Sequence, residues 1–95
     1  MAFSYSDENF TVVGNLCFVH IFAKNSSAKK VSIPPAIVDR ALIDDTLVSY
    51  ITYNDNFQGG TRLYANVNFT KSEISYLPTH TYSYVYFYFP IDSNK

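Results

Sequence analysis

The sequence contains no tryptophan, one cysteine, one methionine and three glycines, and only 16% of its 95 residues are charged. A single cysteine excludes an intrachain disulfide and a cysteine-ligated zinc site, so Cys17 reads as a small buried apolar side chain. Seven basic and eight acidic residues leave a formal charge of −1. That balance provides no basic stripe for a phosphate backbone, and no nucleic-acid partner is expected. No segment approaches the roughly eighteen apolar residues that span a bilayer, and Met1–Tyr5 lacks the basic start and apolar run of a signal peptide. No membrane insertion is therefore expected. Gly59-Gly60 lacks the flanking residues of a phosphate-binding loop, and Asp44-Asp45 lacks the calcium-loop spacing, so both read as turns and neither a cofactor nor a metal is expected. Sequons at Asn9, Asn25 and Asn68 are the kind of match that a chain rich in Ser, Thr and Asn gives by chance.

What the chain has in abundance is aromatic surface: nine tyrosines and eight phenylalanines, 18% of the residues with tryptophan absent. In residues 81–89 the alternation places Tyr82, Tyr84, Tyr86 and Tyr88 on one face of a strand and Val85, Phe87 and Phe89 on the other. Four tyrosines offer about 600–1,000 Å², against about 300–600 Å² for the largest apolar patch of an ordinary monomer. The expectation is that a second sheet or a neighbouring chain closes over this ladder.

Further strands are expected over residues 10–13, 16–24, 29–33, 47–53 and 61–70, with a short strand or turn over residues 72–77. The breaks are Gly14-Asn15, Asn25–Ala28, Pro34-Pro35 and Asn54–Gly60. Residues 36–45 read as a loop with at most one helical turn starting near Pro35. In residues 61–70, Leu63, Ala65, Val67 and Phe69 face a core, while Arg62, Tyr64, Asn66, Asn68 and Thr70 face outward. Six or seven short strands with turns about every ten residues predict an all-β fold, an antiparallel β-sandwich or Greek-key barrel. One domain fills residues 1–95, with 1–8 and 93–95 expected as loose ends.

Catalytic chemistry has little to draw on. Cys17 and His20 lie three residues apart on one strand and so point to opposite faces, which rules out a Cys–His pair. His20 shares its face with Leu16, Phe18 and Phe22 and is expected inside the core or at a subunit contact. No enzyme is expected, although a small hydrolase acting through Asp55 or His80 is a third reading. Recognition remains. Tyr64 and Tyr82 could pack a ring on a sugar's C–H surface, while Arg62, Asp55, Asn66 and His80 satisfy its hydroxyls. The same tyrosines suit a subunit interface equally well.

The order of elements, with Val13-Gly14-Asn15-Leu16, Ile33-Pro34, a variable middle, an alternating strand and a closing Tyr-Phe-Tyr-Phe-Pro-Ile-Asp92, resembles the receptor-binding head of phage tail fibres and baseplates, lactococcal-type phages in particular. The similarity covers about residues 10–92. It implies a non-catalytic homotrimer located in the virion, at the tail tip or baseplate. Its partners would be other baseplate or tail proteins and the cell-wall polysaccharide of a Gram-positive host. Such heads often stack sugar on a tryptophan, which this chain lacks, so a tyrosine would have to serve. The alternative is a structural or oligomerisation module of a virion with no ligand of its own.

Overall fold

The computed structural model describes residues 2–24, 30–53, 61–76 and 82–95. Among these the chain is all-β, as expected: one sheet of seven antiparallel strands curls into a half-barrel. The strands are β1 (Phe10–Val13), β2 (Leu16–Lys24), β3 (Lys30–Ser32), β4 (Thr46–Tyr53), β5 (Thr61–Asn68), β6 (Glu73–Ser75) and β7 (Tyr82–Pro90). A single helical turn, α1 (Pro35–Val38), opens on proline at its first position, where a missing N–H costs nothing. The sheet order is β1-β2-β7-β4-β5-β6-β3, so the last strand lies in the middle, between β2 and β4.

β1 and β2 form a hairpin in which Val13 pairs with Leu16 across Gly14-Asn15. Gly14 takes φ 62° there, a left-handed conformation that a Cβ would strain even though its surroundings are open. β7 pairs with β2 along its whole length, from Leu16↔Pro90 to Lys24↔Tyr82. With β4 it pairs only at Ile51↔Tyr84, Thr52↔Ser83 and Tyr53↔Tyr82. Beyond those pairs β4 and β7 part, and the sheet bends so that its two halves face one another.

Residues 40–42 bind the far end of β7: the Leu42 N–H donates to the Pro90 carbonyl (3.1 Å), Ala41 bridges Ile91, and the Asp92 N–H donates to the Arg40 carbonyl (2.8 Å). Phe69 meets Phe89 edge to face across the interior, ring centres 5.3 Å apart. Cys17, Val19 and Ile21 from β2, Val85 and Phe89 from β7, Ala65 and Val67 from β5 and Ile74 from β6 fill the concave side. Each strand sends alternate residues there, as the period-two pattern requires.

Described residues near both ends bond to the rest of the fold. The Phe3 N–H donates to the Ser93 carbonyl (2.7 Å), and Ser6 bridges Thr11 along the outer edge of β1. The Arg40 guanidinium lies 3.8 Å from the centre of the Phe3 ring and donates to the carbonyls of Ala36 (2.8 Å) and Lys95 (3.2 Å). Asp7 accepts from the amides of Asn9 and Phe10 and from the Tyr5 hydroxyl. Desolvation works against the charged Asp7, but these donors prevail and hold its carboxyl below the usual range. Asp45 likewise accepts from the Phe69 amide (2.7 Å), fastening the start of β4 to the turn after β5.

Cys17 and His20 do point to opposite faces: Cys17 is fully buried and His20 is exposed. Burial, with a smaller contribution from the Asp7 charge, pushes the Cys17 thiol up to about 11 from an ordinary 9.0. Below pH 9 the thiol is neutral whether the chain is folded or unfolded, and the shift has no effect on stability. As pH rises from about 9 toward about 11 only the unfolded chain releases the proton, so stability should fall across that window. Denaturant unfolding at pH 8 and pH 10.5 should show this loss, and Cys17→Ala should reduce it. An unchanged slope in the variant would assign the alkaline loss to other groups.

Candidate functional site

The convex side of the sheet carries two chemically different strips, with β4 between them. The first is on β5, where Arg62, Tyr64 and Asn66 stand at successive outward positions and all are exposed. At about 3.4 Å per residue the three span about 14 Å. Their partners on β4 are Ile51, Ser49 and Leu47, and Asn66 also pairs with Ser75 on β6. The strip is polar, with a guanidinium, a phenol and an amide projecting from a rigid strand whose opposite face holds Ala65 and Val67 fully buried. Burial of Ala65 and Val67 fixes the register and therefore keeps Arg62, Tyr64 and Asn66 outside. Asn68, next in the series, turns aside and accepts from the Lys71 amide (2.8 Å), closing the turn to β6.

The second strip lies on β2 and β7. Register sets Phe18 opposite Tyr88, His20 opposite Tyr86 and Phe22 opposite Tyr84. The rings meet in pairs: Phe18–Tyr88 at 5.5 Å, Phe22–Tyr84 at 4.8 Å, and His20 stacked near Tyr84 and edge-on to Tyr86, both at 5.8 Å. Such cross-strand aromatic pairs each stabilise a sheet by about 0.5–1.5 kcal/mol. Yet Tyr86 and Tyr88 remain 62% and 61% exposed. The expected second sheet over the ladder is absent among the described residues, because the one sheet curls toward its other face and leaves the tyrosines outside. His20 accordingly is no core histidine.

Of the sequence-predicted site residues, Arg62, Tyr64 and Asn66 come together. Tyr82 begins β7 and pairs through its backbone with Lys24 and Tyr53. Asp55 and His80 lie outside the described residues. Sequence reasoning left Phe22 and Ile51 out of the outer surface. The alternation in β2 does place Leu16, Phe18, His20 and Phe22 on one side, but only the register with β7 shows that side to be the tyrosine side. Among the described residues no group of three or more His, Cys, Asp or Glu could hold a metal ion, and no helix is long and apolar enough to cross a membrane. No protein-family model matches the chain, and neither a curated protein nor a solved structure matches it.

Proposed function

We propose that this chain is a non-enzymatic receptor-binding head of a phage tail fibre or baseplate, a homotrimer in the virion that attaches to a host cell-wall saccharide. The observation that carries the binding part is the exposed β5 strip. Arg62, Tyr64 and Asn66 stand clear of the core on one face, where a phenol ring can lie against a sugar while amide and guanidinium donors meet its hydroxyls. The virion setting rests on the resemblance in the order of elements.

Calorimetric titration with cell-wall saccharides tests the reading. Tyr64→Ala and Arg62→Ala should each weaken binding by about 1–3 kcal/mol without altering the fold, because each removes one partner of a desolvated contact. Full affinity in both variants would move the site off β5. The second reading, a structural module without a ligand, is favoured by the exposed tyrosine strip on β7. Under it no saccharide binds and only assembly responds to substitution.

A further inference from the structure

The aromatic strip of β2 and β7 has a composition unlike the β5 strip on the far side of β4. From Leu16 to Phe22 on β2 and from Tyr84 to Tyr88 on β7, no outward residue carries a carboxylate, an ammonium or a guanidinium. Interface cores are depleted of charge and enriched in Tyr and Phe in this way. A saccharide site, by contrast, needs amides and charged groups aimed at hydroxyls, and those stand on β5. We propose that the outer face of β2 and β7 docks a second copy of this chain, with the His20 imidazole inside the contact. The proposal specifies the assembly part of the reading above and is independent of the ligand part.

Area favours this occupant. Phe22, Tyr84, Tyr86 and Tyr88 are 45%, 39%, 62% and 61% exposed. At 150–250 Å² for each aromatic, they leave about 400 Å² in water, and Val13, Ile51 and the imidazole bring the patch to roughly 500–600 Å². That lies at the top of the range for the largest patch on a monomer. Two such faces together would bury about 1,000–1,200 Å², the threshold of a specific interface. Symmetry favours it as well. Around the three-fold axis of a trimer a charge near the axis meets its own copies, so a face turned toward that axis must be neutral there. Arg62 pairs with Ile51, which pairs with Tyr84, and so stands two strands out, at the rim.

His20 makes the contact sensitive to acid. The rings against the imidazole are the phenols of Tyr84 and Tyr86 from β7, while on the β1 side Asn9 holds the His20 backbone, its side-chain amide donating to the His20 carbonyl (3.0 Å) and its backbone carbonyl accepting from the His20 backbone N–H (2.9 Å). On the β1 side the nearest acids in sequence are Asp7, already bound to two amides, and the exposed Glu8. Neither phenol nor amide offers an imidazolium a counter-charge. A protonated imidazole inside this contact is a buried unpaired cation, and the copies separate.

The test is the solution mass of the full chain by light scattering at tens of micromolar, at pH 7.5 and pH 5. The wild type should exceed the mass of one chain at pH 7.5, and Tyr86→Glu and Tyr88→Lys, both at exposed positions, should return it to one chain with an unchanged circular dichroism spectrum. At pH 5 the wild type should dissociate at least tenfold more readily, whereas His20→Gln should not. A wild-type monomer at all concentrations, or an oligomer unaffected by both tyrosine variants, overturns the proposal. Acid-insensitive assembly of the wild type removes His20 from the contact. A monomer whose saccharide binding is lost in Tyr86→Glu assigns the face to the ligand instead. Saccharide titration of Tyr64→Ala is read separately, so failure of the β5 site and failure of this interface give different results.

Discussion

Phe89→Ala should lower the unfolding free energy by about 3–5 kcal/mol, the range for removing a fully buried aromatic ring. Phe89 is 2% exposed and lies where the two halves of the sheet face one another, edge-on to Phe69 and stacked near Phe87 at 6.1 Å. Its strand neighbour across the register is Cys17, itself fully buried, so little can move in to fill the space. A domain of this size has about 5–15 kcal/mol of stability in all, and the variant should therefore unfold at a much lower urea concentration or fail to fold at 37 °C. Phe87, two residues earlier on the same face, is only half-buried, and Phe87→Ala should cost clearly less. Equal urea midpoints for the two variants would show that the halves do not close over Phe89.

Ile37→Ala should cost about 2–5 kcal/mol. The helical turn that carries it is only four residues long, with no side-chain cap and no acidic residue in its first turn. Alone in water such a turn would not form, because nucleation costs more than one turn of hydrogen bonds returns. What holds it is Ile37, completely buried among the core residues. Arg40 and Leu42, which bond the end of β7, follow directly, so loss of the Ile37 anchor should also speed amide exchange at Leu42 and Asp92. The exposed Leu42 provides the control, since Leu42→Ala at 62% exposure should change stability by less than about 0.5 kcal/mol. A mild Ile37→Ala with exchange unaltered would mean that residues 35–42 are held by their backbone bonds alone.

Most strand identities, and which residues within a strand share a face, were legible in the chain because a strand has only two faces. The alternation at Arg62 to Phe69 separated core from solvent correctly. The single helical turn at Pro35 was legible too, from a proline that presets the first φ of a helix. Which face of β7 turns inward was harder, because both are aromatic. Val85 and Phe89 go inside, where apolar rings and branched chains leave no hydroxyl to satisfy, and Tyr84, Tyr86 and Tyr88 stay where theirs meet water. Whether a second sheet covers them is decided by long-range curvature. That curvature comes from the short β4–β7 pairing, which no local pattern encodes. The outward Arg62, Tyr64 and Asn66 were read from the same alternation. The aromatic strip as a surface was not, since it exists only once β2 and β7 are in register.

The central place of β7 also bears on how the chain is made. Residues 82–90 leave the ribosome after the other six strands, yet among the described residues they are the only link between the β1–β2 pair and the β4–β5–β6–β3 group in the sheet order. Until they emerge, the nascent chain holds two fragments, each with a bare edge awaiting the same strand. Folding of the sheet must then wait for β7 and close contacts far apart in sequence, which places it among slow β-topologies. In the interval the edges of β2 and β4 are open to any extended segment of a neighbouring chain. A shortened chain ending before Tyr82 should aggregate, because it lacks the centre of its own sheet.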